Sequence, residues 1–245
     1  CAFGTLSLSA NTTGATNNAF GRAALASNTI GTNNNAFGTF ALDSNTTGIS
    51  NSAFGSDALG LNTTGIENSA FGRDALGSNS VGTGNCAFGR SALAANTGSG
   101  NIGIGLSGGA SLTTGSNNIC IGNGGTAAES ATIRVGSAGT HTRFFAAGIR
   151  GVATGIADAI AVLIDSAGQL GTVSSSRRFK DQINAMGADS DNLMNITPVS
   201  FMYKSDNTQT KQYGLIAEEV AQYYPELVVY DEDGQVNTIK YHLLP

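Results

Sequence analysis

The residue types best suited to chemistry lie in a short segment near residue 175. Three consecutive serines, 174–176, are followed by Arg177, Arg178 and Lys180. A serine hydroxyl becomes a nucleophile when a base removes its proton, and a lysine acts as that base only when burial or nearby positive charge lowers its pKa. The segment therefore holds the groups of a serine–lysine dyad. Arg177 and Arg178 would supply positive charge, or would contact an acidic group such as Asp181 or a partner chain.

The spacing of these residues does not select the nucleophile. On a continuous helix, residues i and i+4 share a face, so Ser176 rather than Ser175 would face Lys180. If Ser175 is the nucleophile, it must precede the helix. A serine and a lysine at this spacing are also common by chance in a serine-rich segment, so a polar joint without chemistry is the alternative interpretation of the residues alone.

Acidic and basic side chains also recur on a regular spacing in the first half of the chain. Asp57 and Asp74 occupy the same position in consecutive 17-residue units, and carboxylates about 5 Å apart are the catalytic pair of retaining glycosidases. Residues 1–125 contain no Trp or Tyr to bind a sugar, which favours two solvated acids instead. Three arginines share another position, where binding of an anionic glycan and simple solubility are the alternatives: Arg22, Arg73 and Arg90.

The remaining candidate groups favour structural interpretations. Glu218 and Glu219 are expected on a solvated helix face or at a contact between chains, and His242 has no nearby Cys or second His with which to bind a metal. No metal site and no cofactor are therefore expected. Cys1 and Cys86 lie five 17-residue units apart, roughly 24 Å in a stacked-strand structure and beyond disulfide reach. We interpret these two cysteines and Cys120 as small buried fillers.

The first half of the chain is a repeat of 17 residues with the unit AFGxxALxxNTTGxxN. Glycine, at 34 of 245 residues, is roughly twice its usual 7% frequency. Because Gly, Asn and Thr are poor helix formers, the repeat excludes helical arrays and predicts a parallel β-solenoid. The recurring aromatic residue is always followed by Gly: Phe3, Phe20, Phe37, Phe54, Phe71 and Phe88.

Each unit is expected to be one coil of two short strands and two turns, with Gly and Asn at positive φ in the corners. One Phe or Ile, one Leu and a few Ala per coil make a thin interior. Ordering each residue costs about 1–2 kcal/mol of backbone entropy, so further burial between chains is the expected remedy.

Composition and charge exclude several classes of protein. The net charge is −5 and only 12% of residues are charged, without the basic stripe that nucleic-acid binding requires. No apolar run approaches the roughly 18 residues of a membrane helix, so no membrane insertion is expected.

The last 71 residues differ from the repeats, because all lysines and tyrosines of the chain lie there. Before them, the runs ATIRVG, TRFFAAGIRGVATG and AIAVLIDSAGQLGTVSS predict the β-strands of a connector, with a hairpin turn at 165–168. After residue 175, the pattern predicts an α+β domain. Its elements are a strand in PVSFMYK, a helix in LIAEEVAQYY that Pro225 ends, and a hairpin around Asp233 and Gly234.

Residues 175–245 resemble the endosialidase-type intramolecular chaperone, a self-cleaving C-terminal domain of phage tail fibres and tailspikes. The resemblance runs, in the family's order, through SSRRFKDQI, PVSFMYK, YGLIAEEV and YPELVVYDEDGQVNTIKYHLLP. In that family, a Ser that opens the domain and a Lys five residues later form the cleavage dyad. The resemblance thus implies Ser175 as nucleophile, Lys180 as base and the Ser174–Ser175 bond as the cleavage site. The family often has Asp where Ser176 stands, and it usually continues beyond the position of Pro245 into a C-terminal helix.

The repeat resembles the left-handed parallel β-roll heads of trimeric autotransporter adhesins and of many phage tail fibres, which implies a homotrimer. We therefore expect a mainly β, homotrimeric fibre with three parts. They are a β-roll head or shaft (1–125), a β-rich stalk (126–174) and a small α+β chaperone domain (175–245). The expected location is a virion tail fibre, with a host receptor or glycan as a further partner. The alternative is an uncleaved adhesin at a bacterial cell surface, with residues 175–245 as a permanent trimerisation cap.

Overall fold

The computed structural model describes residues 1–149, 159–231 and 233–244, which form two compact units, one on each side of residues 150–158. The predicted domain limits at 125 and 174 stay predictions. None of the helices in the described part of the chain has the length and apolar character of a membrane span.

The first unit is a parallel β-solenoid of about eight turns, as predicted. Each strand pairs with the next along the chain at equivalent repeat positions, so that Ala19 lies opposite Ala36 and Phe20 opposite Phe37. The nine strands are β1 (Ala2–Phe3), β2 (Asn18–Phe20), β3 (Asn35–Phe37), β4 (Ser52–Phe54), β5 (Ser69–Phe71), β6 (Cys86–Phe88), β7 (Ile102–Ile104), β8 (Ile119–Ile121) and β9 (Ile133–Val135). The last strand comes from the segment in which the sequence predicts the connector.

Each coil contains one strand, and the expectation of two per coil is wrong. On the opposite side of the coil, the backbone still forms hydrogen bonds with the next coil. For example, the Leu25 amide donates to the Ala41 carbonyl at 3.0 Å. Ala23 and Leu25, however, have φ of 55° and 53°, in the left-handed region. A chain that alternates through this region cannot extend as a strand.

The solenoid interior is built from small and branched side chains rather than from phenylalanine. The middle residue of each strand, such as Ala53, points inward and is fully buried, as is Leu59 on the opposite side. The placement of Phe in the interior is therefore wrong, because successive strand residues face opposite sides and Phe54 lies next to an inward Ala. Phe54 is 37% exposed, and the rings of neighbouring coils stack at 4.7–4.9 Å between centroids.

The recurring asparagines form a buried ladder, and the expectation that they occupy corners at positive φ is wrong for them. Asn62 is fully buried and donates from Nδ2 to Asn45 Oδ1 at 2.9 Å, and Asn79 donates to Asn62 Oδ1 at 3.0 Å. The predicted glycine corners do occur. Gly55 has φ of 145°, and a Cβ there would lie 2.5 Å from the Gly72 carbonyl oxygen.

The ladder stops where one coil is shorter by one residue. Phe88 pairs with Ile104, whereas earlier coils pair residues 17 apart. At this coil Asn79 Oδ1 is buried without a hydrogen-bond partner, and Asn96 Oδ1 accepts from Asn101 instead. In the following coil, Leu112 takes the position of the ladder asparagine. Its amide donates a hydrogen bond to the Gly109 carbonyl, three residues earlier, as the Asn96 amide does to the Leu93 carbonyl.

An ion pair lies at the last coil of the solenoid. Arg134 occupies the inward position that Cys120 has in the preceding coil. Its guanidinium forms two close bonds with the Glu129 carboxylate, at 2.7 and 2.9 Å to Oε2. The bonds from Arg134 hold the pKa of Glu129 below its ordinary value. This pair gives the exposed end of the core a polar cover, which solenoids require at their termini.

The described residues after the solenoid include a hairpin, β10 (Leu163–Ile164) with β11 (Leu170–Gly171). Its turn is the predicted one, since the Gly168 amide donates to the Asp165 carbonyl at 3.0 Å. The expected strands in 142–155 are not seen in residues 142–149, and residues 150–155 lie outside the described part.

The C-terminal region has the predicted strands and single α-helix. Two antiparallel pairs, β12 (Val199–Phe201) with β13 (Gln212–Gly214) and β14 (Val228–Tyr230) with β15 (Val236–Ile239), accompany α1 (Ala217–Tyr223). Three-residue 3-10 helices cover Arg177–Phe179, Pro225–Leu227 and Tyr241–Leu243, and a longer one covers Gly187–Asn195. The hydrophobic core of this C-terminal region consists of Val220, Tyr224, Val228 and Ile239.

Candidate active site

A short 3-10 helix, Arg177–Phe179, separates the serines from Lys180. Ser176 precedes the helix in an extended conformation, with φ of −65° and ψ of 137°, and its carbonyl accepts the Phe179 amide at 3.1 Å. Lys180 follows the helix and is again extended. A single helical turn flanked by extended residues therefore separates the serines from the lysine.

Ser175 is the serine that Lys180 contacts. Lys180 Nζ donates to Ser175 Oγ at 3.3 Å. A continuous helix would have placed Ser176 on the lysine side, but only three residues are helical here. The contact joins a hydroxyl to an amine, which is the pair of groups that a proton transfer from serine to lysine needs.

The two flanking serines are connected to each other by the backbone. The Ser176 amide donates to Ser174 Oγ at 3.3 Å. This is a serine turn, in which a hydroxyl bonds the backbone two residues later. This contact is not predicted from the sequence. The only signal for it was the preference of serine for such turns in non-helical segments.

The two arginines make no ion pair within the described residues. The Arg178 guanidinium lies over the ring of Phe179, 4.6 Å from its centroid. Asp181, which the sequence offered as an acidic partner, instead accepts the Gln182 amide at 2.8 Å. Both guanidinium groups of the segment thus remain available for other contacts.

Every residue from Ser174 to Asp181 is exposed in the single chain. A hydroxyl–amine pair in water gains little reactivity, because water solvates the ammonium form of lysine. The contact between Lys180 and Ser175 is therefore fully open to solvent in the single chain.

The two acids considered for glycoside cleavage, Asp57 and Asp74, each contact a neighbouring residue. Asp74 pairs with Arg73 at 3.1 Å, and Asp57 accepts the Ser56 hydroxyl at 2.7 Å. They border an open depression of about 340 Å³ together with Asp43, the pKa of which is raised by burial and by the charge of Asp57. These contacts fit solvated surface acids.

The other candidate groups are dispersed. Cys120 is buried, Cys86 is half-buried and Cys1 is exposed, all as free thiols, so the filler interpretation is confirmed for Cys120 and wrong for Cys1. Glu218 and Glu219 are exposed on α1. The described residues contain no cluster of His, Cys, Asp and Glu suited to a metal ion.

A comparison with protein-family models agrees with the resemblance in the sequence. Residues 175–229 match the family model described as chaperone of endosialidase, so the match begins at the serine that Lys180 contacts. A comparison with curated proteins and one with solved structures gave no significant match. A β-solenoid followed by this domain fits a tail fibre with a C-terminal chaperone domain.

Proposed function

We propose that this chain is a homotrimeric tail fibre whose residues 175–245 template assembly and are then released by cutting the Ser174–Ser175 bond. The observation that carries the cleavage is the 3.3 Å contact between Lys180 Nζ and Ser175 Oγ. The family match, which begins at Ser175, supports the chaperone role.

The proposed reaction is a single turnover of a serine peptidase acting on its own chain. The neutral amine of Lys180 takes the Ser175 hydroxyl proton, and Oγ attacks the Ser174 carbonyl carbon. The carbon–nitrogen bond to Ser175 then breaks, and the lysine returns the proton to the departing amine. The Ser174 acyl group is now an ester on Ser175 Oγ. Water hydrolyses this ester, leaving a fibre that ends at Ser174 and a separate chaperone that begins at Ser175.

The exposure of the dyad in one chain couples this reaction to assembly. Removal of water favours the neutral form of a lysine, and partner chains are a source of the covering surface. Arg177 and Arg178, which have no described ion-pair partner, either add positive charge beside Lys180 or bind those partner chains. Cleavage then follows correct assembly.

The outer face of the solenoid sheet is the surface we assign to contact between the three chains. It carries the stacked column of Phe20 to Phe88, which continues as Ile104, Ile121 and Val135. Alongside it runs a second column that is polar in the early coils and changes to Ile102, Ile119 and Ile133. A partner that follows this face over many coils must repeat at the same strand spacing, about 4.8 Å, and a second copy of the chain does so.

Charge placed on this face is expected to weaken the trimer. Phe54→Asp would bring three carboxylates together, so association should weaken at least tenfold, as measured by sedimentation equilibrium. Thr47→Asp is the matched control, because Thr47 is exposed elsewhere on the coil. Equal association of the two variants would contradict the assignment of this face.

Cleavage gives the assembled fibre kinetic stability. Pairing three repetitive chains correctly is slow because its contacts are non-local, and a template lowers that barrier. Once the template has left, an unfolded chain cannot easily refold, but a folded trimer remains separated from unfolding by the same barrier. A virion fibre that binds a host receptor or glycan would benefit from this resistance.

The test of the proposal is the mass of the freshly synthesised chain. We expect fragments corresponding to residues 1–174 and 175–245, and an ester intermediate that hydroxylamine cleaves faster than water does. A chain that assembles as a trimer and remains whole would instead indicate an uncleaved surface adhesin with a permanent cap.

A further inference from the structure

Ser176 connects the proposed cleavage site to the 3-10 helix that precedes Lys180 through two hydrogen bonds of its backbone. Its amide donates back to Ser174 Oγ at 3.3 Å. Its carbonyl accepts from Phe179 at 3.1 Å, which closes the helical turn before Lys180. The backbone of one residue, Ser176, therefore takes part both in the turn around the Ser174–Ser175 bond and in the helical turn before Lys180.

From these contacts we infer that Ser174 is a positioning residue: its hydroxyl holds the Ser174–Ser175 bond against the turn that presents Lys180. The inference rests on the proposed self-cleavage. The bond to be cut lies inside the serine turn, so the hydroxyl restricts the direction of the Ser174 carbonyl relative to Ser175 Oγ. A small misplacement of the attacked carbon is costly, because attack requires a narrow range of approach.

The role belongs to the hydroxyl of Ser174 and not to that of Ser176. Ser176 takes part through its amide and its carbonyl, and no described hydrogen bond involves its side chain. Ser174 takes part through its side chain. The two neighbouring serines therefore offer a matched pair in which only one hydroxyl should matter.

The experiment follows cleavage in time after pulse-labelled synthesis of the full chain. Ser174→Val should slow cleavage about tenfold, since it removes a hydrogen bond that orients the reacting groups. Ser174→Thr, which has the same branched shape and a hydroxyl, should stay within about twofold of wild type, as should Ser176→Ala. The pH dependence of the rate should be the same in all of them, because Ser175 and Lys180 remain. Equal rates for Ser174→Val and Ser174→Thr would overturn the inference.

A second measurement separates this inference from the proposed cleavage. In the uncleavable Ser175→Ala background, hydrogen exchange at the Ser176 amide should become at least threefold faster in Ser174→Val and stay unchanged in Ser174→Thr. If the wild-type chain never cleaves but this difference is seen, the proposed function fails while the turn is established. If exchange is equal in both variants, the positioning contact does not exist in solution and the inference fails.

Discussion

A chain with Lys180→Met is expected to assemble and to remain a single polypeptide. Methionine has nearly the length of lysine but no amine, so the Ser175 hydroxyl loses the group within 3.3 Å that would take its proton. Lys180→Arg should fail equally, because a guanidinium stays protonated and cannot serve as a base. Ser175→Ala removes the nucleophile. Each of the three should slow cleavage by at least a thousandfold, measured by intact mass and denaturing gel.

Two other lysines of the same domain provide the controls. Lys204→Met and Lys211→Met remove equal charge, and both residues are exposed away from the serines in sequence. These variants should cleave at the wild-type rate. If Lys180→Arg cleaves normally, positive charge and not proton transfer is the contribution of residue 180, and the dyad mechanism is wrong.

The largest effect on stability is expected from Asn62→Asp. Asn62 is fully buried, and its Nδ2 donates to Asn45 Oδ1 and to the Gly65 carbonyl. A carboxylate would face two acceptors and would carry an uncompensated buried charge, which costs about 3 kcal/mol or more. Thermal unfolding of the solenoid at pH 7 should occur at a clearly lower temperature than in wild type.

The pH dependence and a second position test the cause of this loss. Burial raises the pKa of a carboxyl in the folded state, so the penalty is smallest below the unfolded value of about 3.9 and grows as pH rises toward the folded pKa. Asn11→Asp changes the same repeat position in the first coil, where the side chain is only half-buried, and should cost less. Equal losses in both variants at pH 7 would exclude buried charge as the cause.

The 17-residue period is sufficient to predict a solenoid, but it does not predict which side chains fill the interior. Leu59 is inside as predicted, whereas Phe54 is outside because an inward Ala fixes the alternation of the strand. That choice depends on which of two neighbouring strand residues faces inward, and the length of the repeat does not specify it. The inward orientation of the asparagines likewise depends on the stacking of coils, since each side chain hydrogen-bonds to the asparagine of a neighbouring coil.

The sequence supplies the residue types of the candidate site but not its geometry. Ser175 and Lys180 were identified through the resemblance, while helical spacing alone favoured Ser176. The contact between them depends on a helix of only three residues, and propensities do not determine so short an element. The serine turn that links Ser174 to Ser176 is a local contact of the same kind.

The shorter coil between Phe88 and Ile104 has a consequence for how the coils find one another during folding. Five nearly identical coils can stack one unit out of place at little cost, because every Ala, Leu and Asn would meet an equivalent neighbour. A coil of different length, followed by Leu112 in place of Asn, fits in only one position. The irregular coil thus fixes the register of the stack, because a shift by one whole coil would mismatch its contacts. The buried Asn79 oxygen without a hydrogen-bond partner is the energetic cost of this irregularity.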